Sequence, residues 1–224
     1  PLDRAAVREL THAIAEQNTE ELEYNSPGGE PWSEAQYQST LAAQQKESAL
    51  LAGILAARGI TDPTEALTLL AGEEELSDPL LLKDMDKACA RILQAIDHEE
   101  TIVVFGDYDV DGVTATALLY QHLKGMGANV KCMLPSREGD GYGLSKNAIQ
   151  SIHEKGYPLI VTVDNGIAAL DEADFAAELG VDLIITDHHL PHESLPRAVA
   201  VVDPRREDDT SPFKGLCGAG VAFK

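Results

Sequence analysis

From residue 101 onward the chain alternates between two textures. Short apolar runs rich in Val and Ile occupy residues 101–105, 130–134, 159–163, 183–186 and 198–202. Stretches of helical periodicity separate the first four, at about 112–126, 145–156 and 168–179. Apolar runs this short, bounded by turn residues, predict strands buried on both faces. Strand and helix in alternation predict a parallel sheet. The expected fold class is α/β: a parallel five-stranded sheet with helices on both faces, preceded by a helical N-terminal region.

The N-terminal part has a different pattern. Residues 1–45 are polar and rich in Glu, Gln and Ala. Asn25-Ser26-Pro27-Gly28-Gly29 predicts a turn or linker, with helices at roughly 3–20 and 33–57 on either side. Residues 49–57 predict an apolar-rich helix ending at Arg58-Gly59, with Gly59 as its cap. Thr61-Asp62-Pro63 restarts a short helix. Asp78-Pro79 precedes another, at about 83–97, with Met85, Ala88, Ile92 and Ile96 on one face. Three parts are expected: a polar helical extension (1–48), a helical lead-in (49–100) and the α/β part (101–224).

Composition narrows the function classes. A chain of 224 residues has room for one sizeable α/β domain and an appendage. Cys89, Cys132 and Cys217 are too few and too far apart for a disulfide framework or a CxxC zinc pair. A reducing cytoplasm is the expected compartment. No apolar run reaches the roughly 18–20 residues that span a membrane, and no secretory leader opens the chain. The start at Pro1 points to a processed chain or a fragment. The formal net charge of −21 argues against a broad basic footprint for nucleic acid. It does not argue against a nuclease, because divalent ions at a carboxylate cluster reverse the local sign.

The candidate chemistry sits after the strands. Phe105-Gly106-Asp107-Tyr108-Asp109-Val110-Asp111-Gly112 follows the first run, Asp164-Asn165-Gly166 the third, and Asp187-His188-His189 the fourth. Open α/β sheets gather ligand sites at the carboxyl ends of their strands. One sheet therefore brings the three segments together. Each alone also reads as a helix cap or a turn. Clustered carboxylates repel unless cations neutralise them. Asp and His donors suit Mn²⁺ or Mg²⁺, with imidazole favouring Mn²⁺. Two such ions, about 3.5–4 Å apart, activate water and clamp a phosphate.

Other residues are less specific. Gly112 opens a helix, and either a phosphate at the helix end or a tight turn explains it. Arg137, after the second run, suits a phosphate and equally a pair with Glu138 or Asp140. Asp203 reads as a strand-end turn or a further ligand. His122, His153 and His192 read as surface residues. Trp32, Tyr24 and Tyr37 read as helix-packing residues before base-stacking ones. No P-loop, GxSxG or paired Cys/His pattern is present.

Asp187-His188-His189, with the GDYDVDG and VDNG segments before it, resembles the DHH phosphoesterase superfamily. Arg58-Gly59-Ile60, Asp78-Pro79, Asp84-Met85-Asp86-Lys87-Ala88, Gly141-Tyr142-Gly143-Leu144 and the closing Cys217-Gly218-Ala219-Gly220-Val221-Ala222-Phe223-Lys224 narrow it. They resemble the RecJ-like single-stranded-DNA-specific exonucleases within that superfamily. The resemblance covers roughly residues 49–224.

That resemblance implies a two-metal phosphodiesterase dependent on Mn²⁺ or Mg²⁺, acting 5′→3′ on single-stranded DNA in repair and recombination. It implies Asp109, Asp111, Asp164 and His188 as catalytic metal ligands, with Asp107 as a further ligand. It places His189 on the scissile or terminal phosphate and Arg137 on a substrate phosphate. Asp187 takes a supporting position, orienting a histidine. The implied partners are single-stranded DNA with a 5′ end and, for the parent protein, a single-strand-binding protein or helicase, with no membrane. Two features depart from the pattern. Phe105 stands where many members place a His. A further metal-binding Asp, a DHHA1 subdomain and an OB-fold normally follow the position of Lys224, so this segment alone is expected to be incomplete. A DHH phosphodiesterase of short oligonucleotides or cyclic dinucleotides, and a non-catalytic DHH-fold module, are the alternatives.

Overall fold

The computed structural model describes residues 3–24, 33–72, 76–135 and 143–224. The expected turn at residues 25–29, Trp32 and Arg137 lie outside the described residues, as does the Tyr24 side chain. The chain divides into two compact units, Pro1–Leu76 and Ser77–Lys224.

In the first unit, α1 (Arg4–Tyr24), α2 (Glu34–Ala57) and α3 (Pro63–Ala71) bury Leu10, Ile14, Ala52, Leu55 and Ala66 together. Ser33 starts α2. Its hydroxyl accepts the Gln36 N–H while the Gln36 side chain accepts the Ser33 N–H, so two end donors are satisfied reciprocally. Asp62 caps α3 through the Glu65 N–H at 2.9 Å, and Pro63 occupies a first-turn position that has no partner for an N–H. α2 stops at Arg58, and Gly59 follows in the left-handed region, as its position in the sequence predicts. α2 runs unbroken through residues 48 and 49.

The second unit is the expected α/β fold. β1 (Thr101–Phe105), β2 (Asn129–Met133), β3 (Leu159–Val163), β4 (Asp182–Thr186) and β5 (Ala200–Val202) pair in parallel, in the order β2-β1-β3-β4-β5. Side chains alternate between the faces. Ile102, Val104, Val161, Ile184 and Val202 pack under α4 (Met85–Asp97), α5 (Val110–Gly125) and α8 (Gly218–Phe223). Val103, Phe105, Ile160, Ile185 and Val201 pack under α6 (Lys146–Glu154) and α7 (Leu170–Glu178). Both faces are covered, which is why the strands read as continuous apolar runs. Each such buried side chain contributes about 1.5–3 kcal/mol. The predicted stripe on α4 holds, with Met85 and Ala88 buried and Ile92 and Ile96 packed beside them.

The strand order positions the site. The chain leaves β1 for β2 on one side and returns to β3 on the other, so a crevice opens between the carboxyl ends of β1 and β3. Asn165 braces it, its amide donating to Phe105 O at 3.2 Å and Val163 O at 2.9 Å. His122, His153 and His192 are exposed, as expected. Among the described residues, no helix is long and apolar enough to cross a membrane.

Candidate metal centre

The first acidic loop begins as an extension of the sheet, with Gly106 N donating to Met133 O. Asp107 is buried, and its Oδ1 accepts the Tyr108 N–H at 2.7 Å. Asp109 is exposed and caps α5, accepting the Gly112 N–H at 2.9 Å. Gly112 backs directly onto Asp107. A Cβ there would lie 2.6 Å from Asp107 Cβ and 2.7 Å from its backbone N. Close approach therefore accounts for this glycine, and its N–H is already committed to Asp109.

The second and third loops extend the sheet in the same way. Asp164 N donates to Thr186 O, and Asp187 N donates to Val202 O, each at 3.0 Å. Asp164 is buried with a left-handed φ of 62°, a conformation Asp tolerates better than most residues. Asp187 is buried as well. Its Oδ2 accepts the Ile167 N–H at 2.9 Å, and its Oδ1 accepts the His188 N–H and lies 2.7 Å from His189 Nδ1. Asp187 thus fixes the His189 ring. Burial pulls the His189 pKa down, but the hydrogen bond and charge of Asp187 outweigh it, and the net shift is upward.

The three loops converge. Asp164, His188 and His189 can each place one donor atom within 4.8 Å of the others, and so can Asp107, Asp109 and Asp164. Asp164 belongs to both groups. His188 Nε2 lies 3.0 Å from Asp164 Oδ1 and 3.5 Å from Asp111 Oδ2. The closer pair is at hydrogen-bond distance without hydrogen-bond alignment, and Asp164 Oδ1 is buried with no hydrogen-bond partner among the described residues. A buried carboxylate oxygen without a donor is unfavourable, and burial, followed by the Asp111 and Asp109 charges, pushes the Asp164 carboxyl up to about 7. An imidazole nitrogen and a carboxylate oxygen facing one point, with excess negative charge around them, are what a divalent cation satisfies. The residues fit the ion.

Asp111 stands at the margin of this cluster. Its Oδ2 accepts the Gly218 N–H at 2.7 Å and its Oδ1 the Ala219 N–H at 2.8 Å. Each oxygen keeps a second lone pair. Asp203, given only a minor place by its sequence context, is fully buried, with Oδ1 accepting the Arg205 N–H and Oδ2 unpartnered among the described residues. Burial, then the nearby Asp187 charge, pushes it up to about 7 against the opposing Arg205 contacts. Phe105, at the position where many members carry His, is a core residue. Sequence reasoning missed three contributors: Gly218, Ala219 and Asn165. The first two act through backbone N–H groups, which residue type does not advertise. Asn165 sits in the quoted VDNG segment but reads there as a turn residue.

Comparison with known proteins agrees with the fold. Residues 101–224 match the model of the DHH family, N-terminal domain. The chain is 45% identical over 186 residues to the single-stranded-DNA-specific exonuclease RecJ of Bacillus subtilis, covering 83% of this chain and 24% of that protein. It is 38% identical over 175 residues to the Escherichia coli RecJ, covering 78% and 30%. The matched part of the chain therefore spans 24% and 30% of the length of these curated relatives. Among solved structures, an exonuclease RecJ bound to manganese superposes with a TM-score of 0.60 at 36% identity, over 66% of this chain and 37% of that one. The RecJ of Thermus thermophilus in complex with Mn²⁺ gives 0.59 at 31% identity, over 78% and 24%. With the fold and the family match in agreement, this chain belongs to the DHH family, whose N-terminal domain occupies residues 101–224.

Proposed function

We propose that this chain carries the metal-binding part of a two-metal-dependent phosphodiesterase, acting as a 5′→3′ exonuclease on single-stranded DNA in repair and recombination. The observation that carries the proposal is the pairing of Asp164 Oδ1 with His188 Nε2 at 3.0 Å, unaligned for a hydrogen bond and flanked by further carboxylates. Asp107, Asp109, Asp111, Asp164 and His188 would hold Mn²⁺ or Mg²⁺. Bound there, such ions supply a lowered water pKa and neutralisation of phosphate charge.

The chain's own residues do the positioning. Asp109 is held by the Gly112 N–H and Asp111 by those of Gly218 and Ala219, so both carboxylates are oriented before any ligand arrives. Asp187 anchors the His189 ring through Nδ1. Its raised pKa favours the imidazolium, which attracts the scissile phosphate. In this reading Arg137 adds a second cationic contact to the substrate. The acidic chain as a whole repels DNA, so strand binding depends on the ions and on these few cations. The names of the relatives support single-stranded DNA as the substrate class.

The test is product analysis in Mn²⁺ with the longest encoded form of the protein. Substrates are a single-stranded oligonucleotide blocked at its 3′ end, one blocked at its 5′ end, a duplex and a dinucleotide. Mononucleotide release from the free 5′ end of the single strand is expected. Preferred cleavage of the dinucleotide would replace the exonuclease with a small-substrate phosphodiesterase.

A further inference from the structure

A hollow of about 540 Å³ opens beside the Asp187-His188-His189 loop, within the second unit. Leu190, Pro204, Arg205 and Gly215 line it, with Arg206 and Lys214. The sheet sets its place. Thr186 of β4 pairs with Val202 of β5, and Asp187 N continues the ladder to Val202 O, so the loops after β4 and β5 leave one edge side by side. Leu190 directly follows His189, and Pro204-Arg205 directly follow Asp203. The hollow therefore adjoins the histidine pair of the metal centre.

Its chemistry differs from that of the chain at large. The formal net charge is −21, yet no carboxylate lines the hollow. Arg206 is buried and pairs with Asp84 and Asp208, and Lys214 pairs with Asp209. The exposed Arg205 guanidinium has no hydrogen-bond or ion-pair partner among the described residues, so its charge is available to a ligand. Phe213 borders the hollow. A Cβ on Gly215 would lie 3.1 Å from the Phe213 Cζ, and Phe213 is 59% exposed. Leu190, on the neighbouring loop, is 73% exposed.

We propose that this hollow is a nucleotide subsite beside the metal centre, with Phe213 stacking a base of the single strand and Arg205 holding the phosphate next to the scissile one. The subsite rests on the phosphodiesterase reading for the identity of its ligand. Three observations carry it. An exposed ring next to an unpaired guanidinium is the combination that binds single strands, the ring taking a base and the cation the backbone. The planar fork of Arg matches phosphate oxygens. The volume lies within the roughly 300–1,000 Å³ of small-ligand sites. A base paired in a duplex hides its face, so Phe213 favours unpaired strands.

Binding is read without turnover, which keeps the outcome separate from that of the hydrolysis assay. A fluorescent single-stranded hexanucleotide with phosphorothioate linkages, which resist hydrolysis, is titrated with the 224-residue chain in Mn²⁺, and its anisotropy is followed at several salt concentrations. Phe213→Ala is expected to weaken binding about tenfold without changing the salt dependence. Phe213→Trp, which keeps a stacking face, is expected to retain it. Arg205→Ala is expected to weaken binding about three- to tenfold and to reduce the salt slope by about 0.7. Lys155→Ala removes an exposed cation at the end of α6, on the opposite edge of the sheet, and is expected to match the wild type. Wild-type affinity in both Phe213→Ala and Arg205→Ala overturns the proposal, as does a wild-type chain that does not bind the hexanucleotide. A loss in Arg205→Ala alone, with inorganic phosphate competing as well as the oligonucleotide, would make the hollow a plain anion site and overturns the nucleotide assignment.

Discussion

Asp111 Oδ2 accepts the Gly218 N–H at 2.7 Å across 107 residues of sequence. With Oδ1 on the Ala219 N–H, the carboxylate clamps the start of α8 to the first acidic loop. Burial pushes the Asp111 carboxyl up, but these N–H groups outweigh it and hold it below the ordinary carboxylate range. The clamp therefore contributes stability above the unfolded pKa that is lost as pH falls through the depressed folded value. Asp111→Ala leaves both N–H groups without their acceptor and is expected to destabilise the fold by about 1–2 kcal/mol. Asp111→Asn, which keeps one acceptor oxygen, is expected to lose about half of that. Urea unfolding of the two variants checks the order.

Gly218 tolerates no side chain. A Cβ there would lie 2.5 Å from both Asp164 Cβ and Asp164 Oδ1. Gly218→Ala is expected to displace the Asp164 carboxylate, destabilise the fold by about 1–3 kcal/mol and weaken Mn²⁺ binding. Gly220→Ala is the control, because the atoms nearest its Cβ would be side-chain atoms of Leu216 and Cys217, the first at 3.2 Å. Equal metal affinity in the two variants would contradict the role given to Gly218.

Asp187 acts through His189. Asp187→Asn removes the charge beside His189 Nδ1 and is expected to lower the His189 pKa toward or below its ordinary value, which NMR titration of the ring measures. Hydrolysis is expected to fall about 10–100-fold, with a smaller effect on metal affinity. An unchanged His189 titration would show that Asp187 serves only the Ile167, His188 and His189 backbone N–H groups.

Asp164 and Asp203 make the metal-free protein sensitive to pH. Both folded carboxyls are raised from 3.8 to about 7. Between those values the folded state holds protons that the unfolded chain has released, so stability falls as pH rises through the window. Without metal, the melting temperature is expected to be higher near pH 5 than near pH 8, and Mn²⁺ is expected to raise it most at the higher pH, because the ion binds the deprotonated carboxylate. Asp164→Asn is expected to flatten both trends. Scanning calorimetry at the two pH values, with and without Mn²⁺, decides this.

Much of the fold was legible because its strands are buried on both faces. Runs such as residues 159–163 have no polar face to disguise them, and β3 occupies those residues. The acidic loops were legible because sheet topology alone sends the ends of β1, β3 and β4 to one edge. α8 was not legible as an element, because Gly218-Ala219-Gly220-Val221 carries neither helix propensity nor periodicity. It is held by contacts from elsewhere, the Asp111 clamp and the Cys217 cap on the Gly220 N–H. The burial of Asp203 was equally hidden, since a strand-end Asp followed by Pro204 reads as a solvated turn. Long-range capping and burial depend on tertiary placement, which local residue pattern does not encode.

The central claim is that Asp164 and His188 meet around a divalent cation. Calorimetric titration with Mn²⁺ at neutral pH, on the wild-type chain and on Asp164→Asn, measures it directly. Saturable binding to the wild type that the substitution weakens by about 10–100-fold is the predicted result. No saturable binding, or the same affinity in both proteins, would contradict it.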